Sequence, residues 1–278
     1  MRAILVMARL TLHEAVRRRI LTAALICGGA FLALFGTGLH FMVRNLGRHN
    51  LMTLVERQVA LNMMTLAGLY ATNFLMVMAA VMLPVDTLSG EIHSGVIQTL
   101  AAKPIRRSEI VLGKWLGHWL VLAGYFVLLA IGVLTIARLE AHFTLPNVQH
   151  GLPLMLLEGT VLLTLSIAGG TRFTTITNGM IAFGLYGLAF IGNWVEQIGT
   201  YTDNSAARNV GTIASLIMPS EALWQRAAWF MQPAITRELG NTPFSPVSVA
   251  SGAMVWWAAG YCAVVLCVGL AWMRRRAL

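Results

Sequence analysis

Residues 90–117, GEIHSGVIQTLAAKPIRRSEIVLGKWLG, lie between two long apolar runs and differ from both in composition. The segment combines a central proline, Pro104, with six charged side chains: Glu91, Lys103, Arg106, Arg107, Glu109 and Lys114. By contrast, residues 58–85 and 115–137 contain no Asp, Glu, Lys or Arg. A short polar segment between two such runs predicts a loop between two membrane spans.

The whole chain follows the composition of these flanking runs. Of its 278 residues, 57% are hydrophobic and only 11% are charged, whereas about a quarter of a soluble domain is charged. A bilayer core of about 30 Å needs roughly 20 apolar residues as helix. We therefore predict an all-α integral membrane protein, a single domain over residues 1–278 with six spans. The predicted spans are residues 20–43, 60–85, 115–137, 151–171, 173–195 and 247–273.

The distribution of positive charge predicts the orientation. With the N-terminus inside, thirteen Lys and Arg residues fall on the inner side and seven on the outer side. This asymmetry favours both termini in the cytoplasm. Residues 86–114 then form a cytoplasmic loop and residues 196–246 an external segment. Because the basic residues flank apolar runs, they are typical of membrane anchoring, and we expect no nucleic-acid partner.

The first 19 residues predict an amphipathic helix in the membrane interface. Its apolar stripe consists of Ile4, Leu5, Ala8, Leu12, Ala15 and Val16, and its polar face of Arg2, Arg9, His13 and Arg17. The helix is either a positively charged anchor or an elbow that also contacts a cytoplasmic partner.

Two further segments predict short helices. In the 86–114 loop, an apolar face around Val96, Ile97 and Leu100 precedes Pro104, which ends the helix, and Ser108 is a plausible cap for the next one. Such a helix presents itself to a cytoplasmic partner, although a basic loop can also act as a plain anchor. In the external segment, residues 196–209 are rich in turn formers. Residues 219–233, PSEALWQRAAWFMQP, then predict a helix capped by Ser220 that lies on the outer membrane surface.

Catalytic motifs are missing from the sequence. There is no HExxH, GxSxG or GxxxxGK[ST], so zinc-protease, serine-hydrolase and phosphate-loop chemistry have no support. The three cysteines lie in apolar runs and are expected to act as small hydrophobes. We expect no enzyme activity, no metal site and no cofactor bound by this chain.

The 90–117 segment resembles the permeases of ABC type-2 transporters. The resemblance rests on Gly90–Glu91, Ser94-Gly95-x-Ile97-Gln98-x-Leu100, Lys103-Pro104-Ile105-Arg106-Arg107 and Ile110-Val111-Leu112-Gly113-Lys114. Within that class the chain is similar to permeases of nitrous-oxide-reductase maturation transporters. The amphipathic start, the six spans and the Pro-Ser-Glu-Ala-Leu-Trp segment fit the same plan.

The resemblance implies a type V exporter architecture in the inner membrane of a bacterium. Residues 91–103 would be the coupling helix that docks onto a separate ATPase subunit, and residues 1–19 the connecting helix. Two ATPase copies would hold ATP and Mg²⁺ and work with two permeases, as a homodimer or with a paralogue, surrounded by membrane lipids. The implied coupling residues are Glu91, Val96, Ile97, Leu100, Lys103, Pro104, Arg106 and Arg107.

Polar residues inside the spans are candidates for the substrate pathway because burying them is expensive. The resemblance directs attention to Tyr70 and Asn73 in the second span and Tyr186 in the fifth, and Glu158 is the one carboxylate inside a span. Glu158 either contacts substrate or pairs with Arg138 or Arg172. The span asparagines are equally candidates for interhelical hydrogen bonds. The Met-rich second span could conduct copper(I), although methionine more often fills apolar gaps.

Three functions remain open from the sequence. The first is the permease subunit of an ATP-driven exporter. The others are an ATP-independent secondary carrier and a membrane scaffold that recruits a cytoplasmic protein. An apolar pathway suits lipids, peptides or hydrophobic drugs, and the resemblance adds a sulfur- or copper-related cargo.

Overall fold

A computed structural model describes residues 2–48, 53–93, 106–234, 237 and 248–275. Within these ranges the regular structure consists of helices only, which confirms the predicted all-α class. In chain order they are α1 (Arg2–Arg17), α2 (Arg19–Arg48), α3 (Leu54–Met82), α4 (Thr87–His93), α5 (Arg107–Ala141), α6 (Val148–Gly170), α7 (Thr175–Tyr201), α8 (Ser205–Ile217), α9 (Ser220–Phe230) and α10 (Gly252–Arg275).

Six stretches of these helices are long and apolar enough to cross a membrane, as predicted. They lie at Arg19–Asn45, Val55–Ile92, Arg107–Ala141, Val148–Gly170, Thr175–Tyr201 and Gly252–Arg275. The second stretch includes a break, because Pro84 lacks a backbone N–H and cannot continue α3. The chain turns at residues 83–86 and resumes as α4, and Thr87 N–H donates to the carbonyl of Pro84 at 2.9 Å.

The spans alternate in direction, so the protein has two sides. One side, here called the α1 side, carries α1, α4 and the first turns of α5. The other, here called the α9 side, carries α8, α9 and the last turns of α2 and α5. Contacts between α2 and α5 fix this arrangement: Tyr125 Oη donates to the carbonyl of Ala24 at 3.1 Å, and His40 Nδ1 lies 2.9 Å from Glu140 Oε2.

The core is formed where α3, α5 and α6 pack together. Met76 of α3, Phe126 of α5 and Met155 of α6 are almost completely buried. Gly159 allows the close approach of α3 and α6, since a Cβ at this position would lie 2.9 Å from the sulfur of Met76. Small residues of this kind let membrane helices gain van der Waals contact.

Residues 196–209 are helical, which corrects the expectation of an irregular segment. α7 continues to Tyr201, and α8 begins at Ser205. Only Thr202, Asp203 and Asn204 form the turn: Asp203 has φ 53°, and Asn204 Oδ1 accepts from the backbone N–H of Ala206 at 3.0 Å. The turn is thus confined to these three residues, and the neighbouring turn formers lie in helix.

The prediction that α9 lies on the outer membrane surface is wrong. Its first two turns are buried, with Leu223 and Trp224 among the buried residues, and α9 packs against α6. Small side chains permit this contact, because Ala222, Ala227 and Ala228 face the protein interior. Ser220 is the first helical residue and Pro219 stands at the cap position, so the predicted Ser220 cap is also wrong.

Candidate functional site

The predicted coupling residues fall partly outside the described ranges. Glu91 lies in α4, and Arg106 and Arg107 lie at the start of α5. Five others are not described: Val96, Ile97, Leu100, Lys103 and Pro104. The N-cap of α5 is Arg106, whose backbone N–H donates to Glu109 Oε2 at 3.1 Å. The predicted Ser108 cap is therefore wrong, because the helix already begins at Arg107 and Ser108 lies inside its first turn.

A buried ion pair joins α4 to α5 on the α1 side. Lys114 Nζ lies 2.5 Å from Glu91 Oε1, and the two side chains are only 3% and 16% exposed. One turn further along α5, His118 is buried, with its Nε2 3.1 Å from Thr87 Oγ1 and its Nδ1 2.9 Å from the carbonyl of Lys114. Removing one partner of a buried pair is strongly destabilising, so the ion pair and the Thr87–His118 contact hold α4 against α5.

α1 is fixed to the same part of α5 by two glycines. A Cβ at Gly117 would lie 2.7 Å from Thr11 Cβ and 2.9 Å from the carbonyl oxygen of Ala8. One turn earlier, Gly113 meets the backbone of Ile4 in the same way. The four-residue spacing of the glycines opens a groove into which α1 fits.

The buried face of α1 overlaps the predicted stripe in part, at Ala8 and Ala15. Met7, Ala8, Thr11 and Ala15 are buried, whereas Leu5 and Val16 are 61% and 59% exposed. The predicted stripe contained both bulky and small apolar residues, and the groove of α5 accommodates the small ones. Partial burial opposes ionisation of Glu14, yet a hydrogen bond from Arg18 and the nearby charge of Lys114 lower its pKa.

A second polar cluster lies between the spans, towards the α9 side. Its centre is Glu158 of α6, which is completely buried. Asn73 Nδ2 of α3 donates to Glu158 Oε2 at 3.0 Å. The alternative prediction, an ion pair of Glu158 with Arg138 or Arg172, is wrong, because the ion pairs of the described residues lie elsewhere.

α9 brings a second carboxylate to this cluster. Glu221, in the first turn of α9, is 2% exposed and accepts a hydrogen bond from the hydroxyl of Tyr186. One turn later, Trp224 packs on Tyr70, with ring centroids 5.1 Å apart. The four predicted pathway residues, Tyr70, Asn73, Glu158 and Tyr186, are therefore brought together in one place.

The environment of Glu221 favours its neutral form. Burial raises its pKa to about 7, although the hydrogen bond from Tyr186 acts in the opposite direction. Glu158 lies within electrostatic reach of Glu221. Removing a charged carboxylate from water without a compensating positive charge is costly. Binding a proton or a cation would therefore lower the free energy of this cluster.

Two residues of this cluster, Glu221 and Trp224, were missed as site residues. In the sequence Glu221 has the pattern of a carboxylate in the first turn of a surface helix, and Trp224 that of an interfacial indole. Their spacing of three residues, which places them on one helix face, was the available signal. Other span asparagines serve packing, as the alternative interpretation proposed: Asn178 Nδ2 donates to the carbonyl of Ser166 at 2.7 Å.

Comparison with known proteins adds a family assignment. A family model described as ABC-2 family transporter protein matches residues 6–224, which is most of the chain. The probable ABC transporter permease protein NosY of Pseudomonas aeruginosa is 34% identical over 106 residues, which cover 36% of this chain and 38% of that protein. The protein of the same description from Stutzerimonas stutzeri is 38% identical over 74 residues, or 26% of each chain. The match thus spans between a quarter and two fifths of these relatives.

Proposed function

This chain belongs to the ABC-2 family of transporter proteins, and from that membership we propose that it is the permease subunit of an ATP-driven exporter. The ATPase is a separate cytoplasmic subunit that binds ATP and Mg²⁺. Two permeases and two ATPases form the working transporter, in the cytoplasmic membrane of a bacterium. The α1 side then faces the cytoplasm, and both termini lie there.

The observation that carries this proposal is the attachment of α1 and α4 to the same turns of α5. α1 packs against Gly113 and Gly117, and the Glu91–Lys114 pair attaches α4 to the same turns. A partner that moves the segment between α4 and α5 therefore moves α5, and through it the α3–α5–α6 core. Rigid-body motion of this kind is a common switching mechanism.

The second cluster supports a transport pathway between the spans. Asn73, Glu158, Tyr186 and Glu221 lie between the spans, and α9 covers them on the side away from the proposed ATPase. A transporter needs its pathway covered on one side at a time, since substrate must cross without opening a continuous pore. The covering helix is attached by buried polar contacts, which a change in the core can break.

The test is purification of the complex in mild detergent from the native membrane. With the native chain, we expect an ATP-hydrolysing subunit to be recovered. Arg106→Gln/Arg107→Gln should lower that recovery about tenfold, a loss of ~1.4 kcal/mol of binding free energy. A Gly/Ser linker in place of residues 94–105 should abolish it.

The matched control is Arg44→Gln/Arg48→Gln, which removes the same charge from the α9 side. It should leave recovery of the ATPase unchanged. Equal recovery with both double variants would show that Arg106 and Arg107 do not contact the ATPase. A native chain that is folded but purifies without any ATPase would exclude the permease function in favour of a secondary carrier or scaffold.

A further inference from the structure

The two buried carboxylates of the second cluster have unused hydrogen-bonding capacity. Glu158 receives one hydrogen bond, from Asn73, and Glu221 receives one, from Tyr186. Within the described residues, Oε1 of Glu158 and Oε1 of Glu221 are buried without a hydrogen-bond partner. Buried polar atoms are nearly always paired, so both oxygens point to a ligand that supplies donors.

Asn73 gives an independent indication of the same ligand. Its side chain is completely buried, and its Nδ2 is already committed to Glu158. Its Oδ1 has no partner among the residues that the structure describes. This neutral amide therefore adds a third unused acceptor beside the carboxylate pair.

The surroundings of the pair supply no positive charge. Among the residues that the structure describes, the Arg18–Glu14 and Lys114–Glu91 ion pairs lie elsewhere, and no Lys or Arg pairs with Glu158 or Glu221. The other titratable groups near the pair are the hydroxyls of Tyr70 and Tyr186. A buried carboxylate pair of this kind is stabilised by a cation that also forms hydrogen bonds.

The aromatic part of the cluster narrows the chemistry of that cation. Tyr70 is one turn from Asn73 on α3, and Trp224 is one turn from Glu221 on α9, so each ring lies on the same helix face as an acceptor. Aromatic faces attract ammonium groups. A primary ammonium carries three N–H donors and one positive charge, which matches three unused acceptors beside an acidic pair.

We propose that Asn73, Glu158 and Glu221, with Tyr70 and Trp224, bind the protonated primary amine of the transported substrate. This inference rests on the proposed permease function and names a substrate class for it. The amine belongs either to a soluble molecule or to the headgroup of an amine-bearing lipid. In both cases the ammonium donates hydrogen bonds to the three unused acceptors, and α9 covers the bound amine.

The experiment uses the permease–ATPase complex in lipid nanodiscs with four probes of similar size: hexylammonium, tetraethylammonium, hexanol and hexanoate. Hexylammonium should raise the thermal unfolding midpoint and the ATPase rate, and both effects should reach a plateau as its concentration increases. Tetraethylammonium has the charge but no N–H donor, so its half-saturating concentration should be at least tenfold higher. Hexanol and hexanoate should have no saturable effect.

Glu158→Gln and Glu221→Gln should each raise the half-saturating concentration of hexylammonium at least tenfold. Glu196→Gln is the matched control, because Glu196 is a half-buried carboxylate of α7 that accepts from Ser248 Oγ at 2.8 Å and lies outside the cluster. It should respond like the native protein. Should Glu158→Gln fail to fold, Glu221→Gln carries the test alone, since Gln keeps the shape of the neutral carboxyl.

The lipid arm compares nanodiscs with and without phosphatidylethanolamine. If the native midpoint rises with phosphatidylethanolamine and the rise is lost in the Gln variants, the amine comes from a lipid. If only hexylammonium acts, the amine comes from a soluble molecule.

If both Gln variants respond to hexylammonium like the native protein, or if hexanol has the same effect as hexylammonium, the inference is overturned. Glu158 and Glu221 would then be a carboxyl pair that only holds a proton. A complex that assembles and hydrolyses ATP without any amine response would overturn the inference alone. An isolated permease stabilised by hexylammonium but never associated with an ATPase would overturn the proposed function and keep the amine site.

Discussion

At the scale of single residues, burial decides how Glu221 ionises. Its pKa is raised from 4.5 to about 7 because the carboxyl is removed from water, against the opposing hydrogen bond from Tyr186. Below pH 4.5 the carboxyl is protonated in the folded and the unfolded chain. Between pH 4.5 and 7 the unfolded chain loses the proton while the folded chain keeps it, so the free energy of unfolding falls as pH rises.

We expect Glu221→Gln to remove this part of the pH dependence. Gln cannot ionise, so the stability of the variant relative to the native protein should rise by roughly 3 kcal/mol from pH 4.5 to 7, at 1.36 kcal/mol per pKa unit. The measurement is the thermal unfolding midpoint in detergent across that range. Glu196→Gln should keep the native slope, and an identical slope in Glu221→Gln would contradict the assignment.

The sequence could predict Tyr70, Asn73, Glu158 and Tyr186 as candidates because polar residues inside spans are conspicuous. It could not predict Glu221 and Trp224 as their neighbours. Both residues are ordinary in a surface helix, and only the packing of α9 against α6 places them among the spans. The sequence pattern records which residues are apolar, whereas this contact depends on close approach, as at Gly151 of α6, where a Cβ would lie 2.5 Å from the sulfur of Met231.

At the scale of helices, the α1–α5 contact depends on the absence of two side chains. Gly117→Ala adds a methyl group that would lie 2.9 Å from the carbonyl oxygen of Ala8 and 2.7 Å from Thr11 Cβ. Overpacking of this kind costs about 1–3 kcal/mol. We expect a lower thermal unfolding midpoint and weaker recovery of the ATPase, because α1 is displaced from α5.

Gly124→Ala tests the same change two turns further along α5. A Cβ at Gly124 would meet nothing within 4 Å, and alanine favours helix by up to about 1 kcal/mol over glycine. This variant should therefore be at least as stable as the native protein. Equal destabilisation by Gly117→Ala and Gly124→Ala would show that α1 does not depend on the groove.

The sequence predicted α1 itself and only part of the face that it buries. Of the predicted apolar stripe, Ala8 and Ala15 are buried, whereas the bulky Leu5 and Val16 are exposed. Thr11, which the stripe did not include, completes the contact, because helices approach closely only where side chains are short. Similarly, residues 196–209 contain turn formers, but only three of them form the turn between α7 and α8.

At the scale of the whole molecule, the six spans were predictable because the bilayer imposes a minimum apolar length on each helix. The orientation remains a prediction from charge, since the predicted spans leave thirteen Lys and Arg residues on the inner side and seven on the outer side. We expect the α1 side to face the cytoplasm.

Cysteine labelling measures this orientation in a variant without Cys27, Cys262 and Cys267. A membrane-impermeant maleimide added to intact cells should label Asp203→Cys, which is exposed in the α7–α8 turn. It should label Arg172→Cys, exposed in the α6–α7 turn, only after the membrane is opened. The reverse pattern would place the α1 side outside and exclude a cytoplasmic ATPase there.

The groove on α5 also sets an order of events during synthesis. α1 leaves the ribosome first, but Thr11 and its contact at Gly117 are more than 100 residues apart in the chain. At 5–20 residues per second, translation of that distance takes about 5 to 20 s. Until then the nascent α1 has no groove to occupy, and its apolar stripe holds it at the bilayer surface. We therefore expect α1 to become a fixed platform only after the third span has been made, and any partner that binds α1 to be recruited after insertion of the chain.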